Sequence, residues 1–253
     1  MSITNNDNEL ILSLHAGYET NGVYTDAFIA RPADGKPRPG MVLLSGMHGL
    51  SHRQREITRY YARAGFVALS PDYMSGQKPK GRAEALKAKN SLDVSATVDQ
   101  LAGAANFLRS LRWVGTTGKI GIMGFCLGGG LALLAAARSE AFQACVVYHQ
   151  SLFPDPRELV GIKCKLQCHY GTHDHSTPKN EVDAFTNTLD ELKKTYEIYW
   201  YKKMEHSFAQ IAPDEDVPPA RRAATDLSYK RSFKFLHIAL GNGANTEAQN
   251  KAL

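Results

Sequence analysis

Few features of this sequence are concentrated in one place. Its four cysteines, at 126, 145, 164 and 168, are too few and too embedded in apolar runs to build a disulfide framework, which fits a reducing compartment. No apolar run reaches the length that spans a bilayer, and the opening stretch Met1-Ser2-Ile3-Thr4-Asn5 has no basic region leading into an apolar core. Charge is spread out too. The net +5 comes from scattered pairs such as Lys193-Lys194, Lys202-Lys203 and Arg221-Arg222, and a basic stripe interleaved with aromatics is missing, which argues against a nucleic-acid partner. Ligand spacings such as Cys-x-x-Cys and His-Glu-x-x-His are absent, and the main glycine cluster is followed by no lysine of a phosphate loop. These absences predict a soluble cytoplasmic protein with no cofactor and no metal, no membrane contact, and a state of monomer or small homo-oligomer.

What the chain does have is enough apolar residues for a full core: 43% of 253. One domain over residues 1–253 is expected, with small polar tails at 1–8 and 241–253. Apolar patches at Leu10 to Leu14 and Ala27 to Ala30, on either side of Asn21-Gly22, predict an edge hairpin. From there, short apolar runs (41–44, 66–70, 120–123, 144–148, 166–170, 197–201) alternate with stretches of helical spacing (53–64, 94–111, 131–137, 179–194, about 220–240). That alternation predicts an α/β fold, a mainly parallel sheet covered on both faces, with the site in loops at the C-terminal ends of its strands.

The most informative stretch is Gly124-Phe-Cys126-Leu-Gly128-Gly129-Gly130, between an apolar run and a strong helix former. Gly-x-Cys-x-Gly at a strand-to-helix turn has the spacing of a nucleophile elbow, in which small neighbours let strand and helix approach and leave the central side chain exposed to substrate. Inert core packing of a cysteine does not require flanking glycines. The helix that follows directs its unpaired N–H groups and positive dipole end toward the sulfur and favours the thiolate.

A cysteine nucleophile needs a base, and the base needs an acidic partner to fix its tautomer. Asp174, in Gly171-Thr-His-Asp-His-Ser-Thr-Pro178, and His206, in Met204-Glu-His-Ser-Phe-Ala209, each follow a predicted strand. The chain order of nucleophile, acid and histidine is that of the α/β-hydrolase arrangement. A rival grouping is Cys164, Cys168, His169, His173, Asp174 and His175, which could suggest zinc; strand alternation sends Cys168 and His169 to opposite faces, which disfavours a closed metal cluster.

On these three motifs the chain resembles the dienelactone hydrolase family, a cysteine-using branch of the α/β hydrolases, with the likeness running from about Gly40 to Leu240. The resemblance implies an α/β-hydrolase fold without a large lid domain. It also implies hydrolysis of a small-molecule ester or enol lactone through a cysteinyl thioester, with Cys126, Asp174 and His206 as the triad. Two departures bear on substrate. The position of a family glutamate that activates the thiol is Gly46 here, and the position of an arginine that holds a substrate carboxylate is Gln210. A neutral amide does not replace a charge-assisted contact, so an altered substrate preference is expected, unless Arg53, Arg55 or Arg82 brings a charge from elsewhere.

The expected oxyanion hole is the backbone N–H of Leu127 with that of Met47. His48 could touch the thiol or substrate in place of the glutamate, His149 could line the pocket, and Phe208 could form an apolar wall. A non-catalytic small-molecule binding protein on the same scaffold is the alternative function, kept open by the missing glutamate.

Overall fold

The computed structural model describes residues 10–115 and 118–241, and of Arg82 the backbone alone. The tails expected at 1–8 and beyond Gly241 lie outside the described residues.

The chain opens with β1 (Ile11–Thr20) and β2 (Val23–Pro32), an antiparallel hairpin turning at Asn21 and Gly22. Both turn residues have positive φ, 52° and 77°, which matches the twist of the strands they join. The hairpin is longer than its apolar patches because the β1–β2 ladder runs the full length of both strands and carries polar residues such as Thr25 along, whereas β4 pairs β2 only from Ala27 to Ala30. There follow β3 (Gly40–Leu44), α1 (His52–Arg63), β4 (Val67–Pro71), α2 (Arg82–Asn90), α3 (Val94–Ser110), β5 (Ile120–Phe125) and α4 (Leu127–Arg138). The remainder is β6 (Ala144–Tyr148), α5 (Pro156–Leu159), β7 (Lys165–Gly171), α6 (Lys179–Glu191), β8 (Tyr196–Tyr201) and α7 (Pro219–Leu240). The single turn α5 has no counterpart in the sequence pattern; Asp155 caps it and Pro156 opens it.

The described strands form one sheet in the order β1-β2-β4-β3-β5-β6-β7-β8, parallel from β4 to β8 and antiparallel across the hairpin. Strand alternation divides the core in two. Ile120 and Ile122 of β5, with Cys145 and Val147 of β6, pack under α3, α4 and α6. Met123 and Phe125, with Val146 and Tyr148, pack under α1 and α7 on the other face. With both faces covered, β3 to β7 are buried almost throughout, and the carboxyl ends of the parallel strands are left as a rim for chemistry. Among the described residues no helix is long and apolar enough to cross a membrane.

Candidate active site

Four loops on that rim meet at one point. The first is the turn from β5 into α4, where Cys126 takes φ 53° and ψ −116°, a conformation that side-chain-bearing residues rarely adopt. The turn is possible because its neighbours have no Cβ. A Cβ on Gly124 would lie 2.1 Å from the carbonyl oxygen of Gly128, and one on Gly128 would lie 2.3 Å from that of Ser45. Backbone bonds lock the turn, from Cys126 N–H to Tyr148 O at 3.0 Å and from Ser151 N–H to Cys126 O at 3.1 Å.

Asp174 comes three residues after β7. Its side chain is fully buried, and Oδ1 accepts the N–H groups of Ser176 at 2.8 Å and Thr177 at 3.0 Å. Oδ2 faces His206 Nδ1 at 2.8 Å. His206 lies on the loop after β8, and α7 holds that loop from below: Arg221 donates to the carbonyls of Ser207 and Phe208, Thr225 to Phe208 O, and Tyr229 to Ala209 O. The structure therefore brings Cys126, His206 and Asp174, from three distant stretches, into one constellation.

The electrostatics of the three groups are linked. Burial works against a charged Cys126, but hydrogen bonding and charge from His206, the Ser151 hydroxyl and the Leu127 N–H outweigh it and hold the thiol below its ordinary value. Burial also opposes a charged His206, yet the hydrogen bonds to Asp174 and Cys126 prevail and push it up to about 9. Asp174 is lowered against its own desolvation, chiefly by the His206 hydrogen bond. Together these shifts favour a thiolate and imidazolium pair.

The remaining expected residues fall in different places. Leu127 directs its N–H to the Cys126 sulfur region, and Met47 lies on the half-buried loop after β3, packed against the core. That loop is pinned by Tyr73, whose hydroxyl donates to Ser45 O at 2.8 Å and Gly46 O at 3.1 Å. His149, at the end of β6, is fully buried, with φ 38° and its ring edge-to-face against His206 at 4.7 Å between centroids. Neither of its ring nitrogens has a hydrogen-bond partner among the described residues, and burial, aided by the His206 charge, lowers it to about 3, so it is neutral. Phe208 is buried behind His149 and Tyr201. His48 is exposed and makes no hydrogen bond or ring contact among the described residues, so a contact of its ring with the thiol has no support in the geometry.

Of the arginines that could bring a charge, Arg53 is held by Glu215 in a two-pronged pair at 2.8 Å, and Arg55 sits over Phe28. The side chain of Arg82 lies outside what is described. Gly46 and Gln210, far apart in sequence, are neighbours. A Cβ on Gly46 would lie 3.2 Å from Gln210 Oε1 and 3.5 Å from Cys126 Cβ, so a neutral amide and the Cys126 side chain border the same space.

The zinc-like grouping does not converge. Cys168 packs into the core under α6, whereas His169 bonds Tyr201 and Gln167 on the opposite face. Among the described residues no group of three or more His, Cys, Asp or Glu could hold a metal ion.

One neighbour of the sulfur, and a residue that contacts it in turn, were not marked by the sequence. Ser151 Oγ is 3.3 Å from Cys126 Sγ, and Lys89 Nζ is 3.3 Å from Ser151 O. The available signal for Ser151 was its place just beyond the same strand end as His149. Nothing in the periodicity of α2 marked Lys89.

Residues 25–240 match the dienelactone hydrolase family. A carboxymethylenebutenolidase from Pseudomonas putida is 27% identical over 219 residues, covering 83% of this chain and 89% of that protein. Carboxymethylenebutenolidase 1 from Cupriavidus pinatubonensis is 26% identical over the same length, covering 83% and 90%. Among solved structures, a dienelactone hydrolase-like promiscuous phosphotriesterase from metagenomic libraries superposes with a TM-score of 0.75 at 20% identity, over 89% of this chain and 98% of that one. The acylaminoacyl peptidase of Pyrococcus horikoshii superposes at 0.69 and 18% identity over 93% of this chain and 43% of its own, so the likeness there is one of fold.

Proposed function

Because the chain belongs to the dienelactone hydrolase family, we propose that it hydrolyses an ester or enol lactone through a cysteinyl thioester, with Cys126 as nucleophile, His206 as acid and base, and Asp174 as the partner of His206. The observation that carries this reading is the 2.8 Å contact between His206 and Asp174 on the rim that also presents a lowered thiol.

In the first half-reaction the Cys126 sulfur, its proton held by His206, attacks the substrate carbonyl. The oxyanion is met by the N–H groups of Leu127 and Met47. As the tetrahedral adduct collapses, the carbon–oxygen bond to the leaving group breaks and His206 gives its proton to the departing alkoxide or enolate. In the second half-reaction the now neutral His206 takes a proton from water. The resulting hydroxide attacks the thioester, the carbon–sulfur bond breaks, and the acid leaves as Cys126 returns to its thiolate beside protonated His206. Asp174 stays ionised throughout and fixes the ring with Nδ1–H toward itself. His149 and Phe208 form the apolar floor beneath His206, keeping water from that side.

Substrate preference follows from Gly46 and Gln210. Around Gly46 the wall beside Cys126 is a glycine and an amide, which suits a neutral acyl group better than one bearing a carboxylate. The test is a panel of aryl and alkyl esters, lactones and carboxylated dienelactones against the wild type, Cys126→Ala and Cys126→Ser. Neutral esters or lactones should be turned over by the wild type, and Cys126→Ala should lose that activity by at least about a thousandfold. Wild-type rates in Cys126→Ala, or tight ligand binding without any turnover by the wild type, would overturn the hydrolytic reading.

A further inference from the structure

Ser151 stands just past the end of β6, and three contacts fix it. Its N–H donates to the carbonyl of Cys126 at 3.1 Å, its carbonyl accepts from Lys89 Nζ at 3.3 Å, and its hydroxyl lies 3.3 Å from the Cys126 sulfur. Backbone and side chain thus both engage the residue read as the nucleophile. On another side of that residue, at Gly46, there is no side chain at all, and the nearest polar group is the amide of Gln210. Among the described residues this amide has no hydrogen-bond partner of its own.

A hydroxyl is both donor and acceptor and rotates between the two roles. Beside a neutral thiol, Oγ accepts S–H. Once the thiol proton has passed to His206, the hydroxyl turns and gives its own hydrogen to the sulfur as a hydrogen bond, without losing it. No proton is transferred to or from Ser151 in either state. We infer that Ser151 is a further catalytic residue of this site, its hydroxyl stabilising the Cys126 thiolate both in the resting protein and when that thiolate departs from the thioester. The inference rests on Cys126 being the nucleophile, and it gives the carboxylate-free wall around the sulfur a means of supporting negative charge.

Lys89 is the positioning residue. By holding the Ser151 carbonyl it fixes the backbone from which the hydroxyl projects, and its ammonium adds a positive charge behind the serine. The other ionisable groups about the sulfur are His206, with Asp174 behind it and His149 beneath it, and Tyr73 after β4. Ser151 itself does not titrate in the working range, so its removal changes the affinity of the sulfur for a proton without deleting a charge.

The test is the rate of alkylation by iodoacetamide against pH in the wild type, Ser151→Ala and Ser151→Thr, together with the pH profile of neutral-ester hydrolysis. In Ser151→Ala the midpoint of alkylation should move to higher pH, with reactivity at neutral pH falling about tenfold while the limiting rate at high pH stays near wild type. The acid limb of hydrolysis should move with it, and Ser151→Thr, which keeps a hydroxyl, should stay close to wild type. If Ser151→Ala is insoluble, Ser151→Thr against Ser151→Val gives the same comparison at nearly constant volume. Superimposable profiles, or a fall in rate at every pH with no shift of midpoint, would overturn the assignment. Hydrolysis that survives Cys126→Ala would instead sink the nucleophile reading, so the two failures are told apart.

Discussion

Nδ1 of His206 stands 2.8 Å from Oδ2 of Asp174, and the carboxylate is wholly buried while the imidazole keeps about a fifth of its surface exposed. A buried anion facing a half-buried imidazole favours the protonated ring, which is why His206 rises to about 9 although burial alone would lower it.

That pair sets a pH window. For an alkyl ester or lactone, whose leaving group must be protonated, kcat/KM should rise on the acid side as Cys126 ionises below the ordinary thiol range, and fall as pH passes about 9, where His206 loses its proton. Asp174→Asn should bring the alkaline fall to lower pH and cut kcat by about a thousandfold or more. Stability has a definite sign too. A histidine raised on folding stabilises the fold fully below its unfolded value of 6.5, and this contribution is lost as pH rises through about 9. In Cys126→Ala, where the Asp174 contact alone still raises the ring, urea midpoints should therefore decline as pH rises above 6.5, over a narrower interval that ends below about 9, and the decline should vanish when His206→Gln is added. Equal slopes in the two would contradict the assignment.

His149 offers a contrast between packing and hydrogen bonding. Its ring is fully buried against Phe125, Phe208 and His206, yet both nitrogens lack partners among the described residues. His149→Phe keeps the aromatic contact and removes the unsatisfied polar atoms, so it should stabilise the fold by about 1 kcal/mol. His149→Ala should destabilise it by about 3 kcal/mol through the cavity it opens, and should lower kcat because His206 loses the ring it leans on. Urea denaturation of both variants decides this, and a less stable His149→Phe would show that the nitrogens are satisfied in solution.

Gln210 bears on specificity. Its amide lies by the space that a Gly46 side chain would fill, next to Cys126. Gln210→Arg places a cation there and should raise kcat/KM for an ester carrying a carboxylate on its acyl part by about tenfold relative to its neutral methyl-ester analogue. An unchanged ratio would mean that the acyl group does not reach this wall.

Strand and helix succession could be read from the sequence because β3 to β7, buried on both faces, are continuous apolar runs, and because glycines punctuate the elbow where backbone meets backbone. Cys126, Asp174 and His206 could be selected because each follows a strand and their order is diagnostic. Contacts made across the fold were not legible. Nothing local to Ser151 says that it turns toward the sulfur, and nothing local to Tyr73 says that it reaches the β3 loop, because both depend on where neighbouring strand ends finish in the sheet. The exposed position of His48 and the pairing of Arg53 with Glu215 are of the same kind, fixed by loop geometry that periodicity does not encode.

Tyr73 supplies the last test. Its hydroxyl, fully buried, donates to the carbonyls of Ser45 and Gly46, and Met47, whose N–H is the proposed second oxyanion donor, comes next in the chain. Tyr73→Phe leaves the ring in the core and removes only the bond that holds this loop. Two carbonyls then lose a buried donor, which should reduce stability by about 1 to 2 kcal/mol. The loop gains freedom, and a donor that must meet the oxyanion at hydrogen-bond distance is less often in position. The effect belongs to the transition state, so kcat should fall by about ten- to a hundredfold with KM nearly unchanged. Alkylation of Cys126 by iodoacetamide develops no carbonyl oxyanion and should proceed at close to the wild-type rate. Loss of both reactions in parallel would mean that Tyr73 supports the whole rim and not the oxyanion loop in particular.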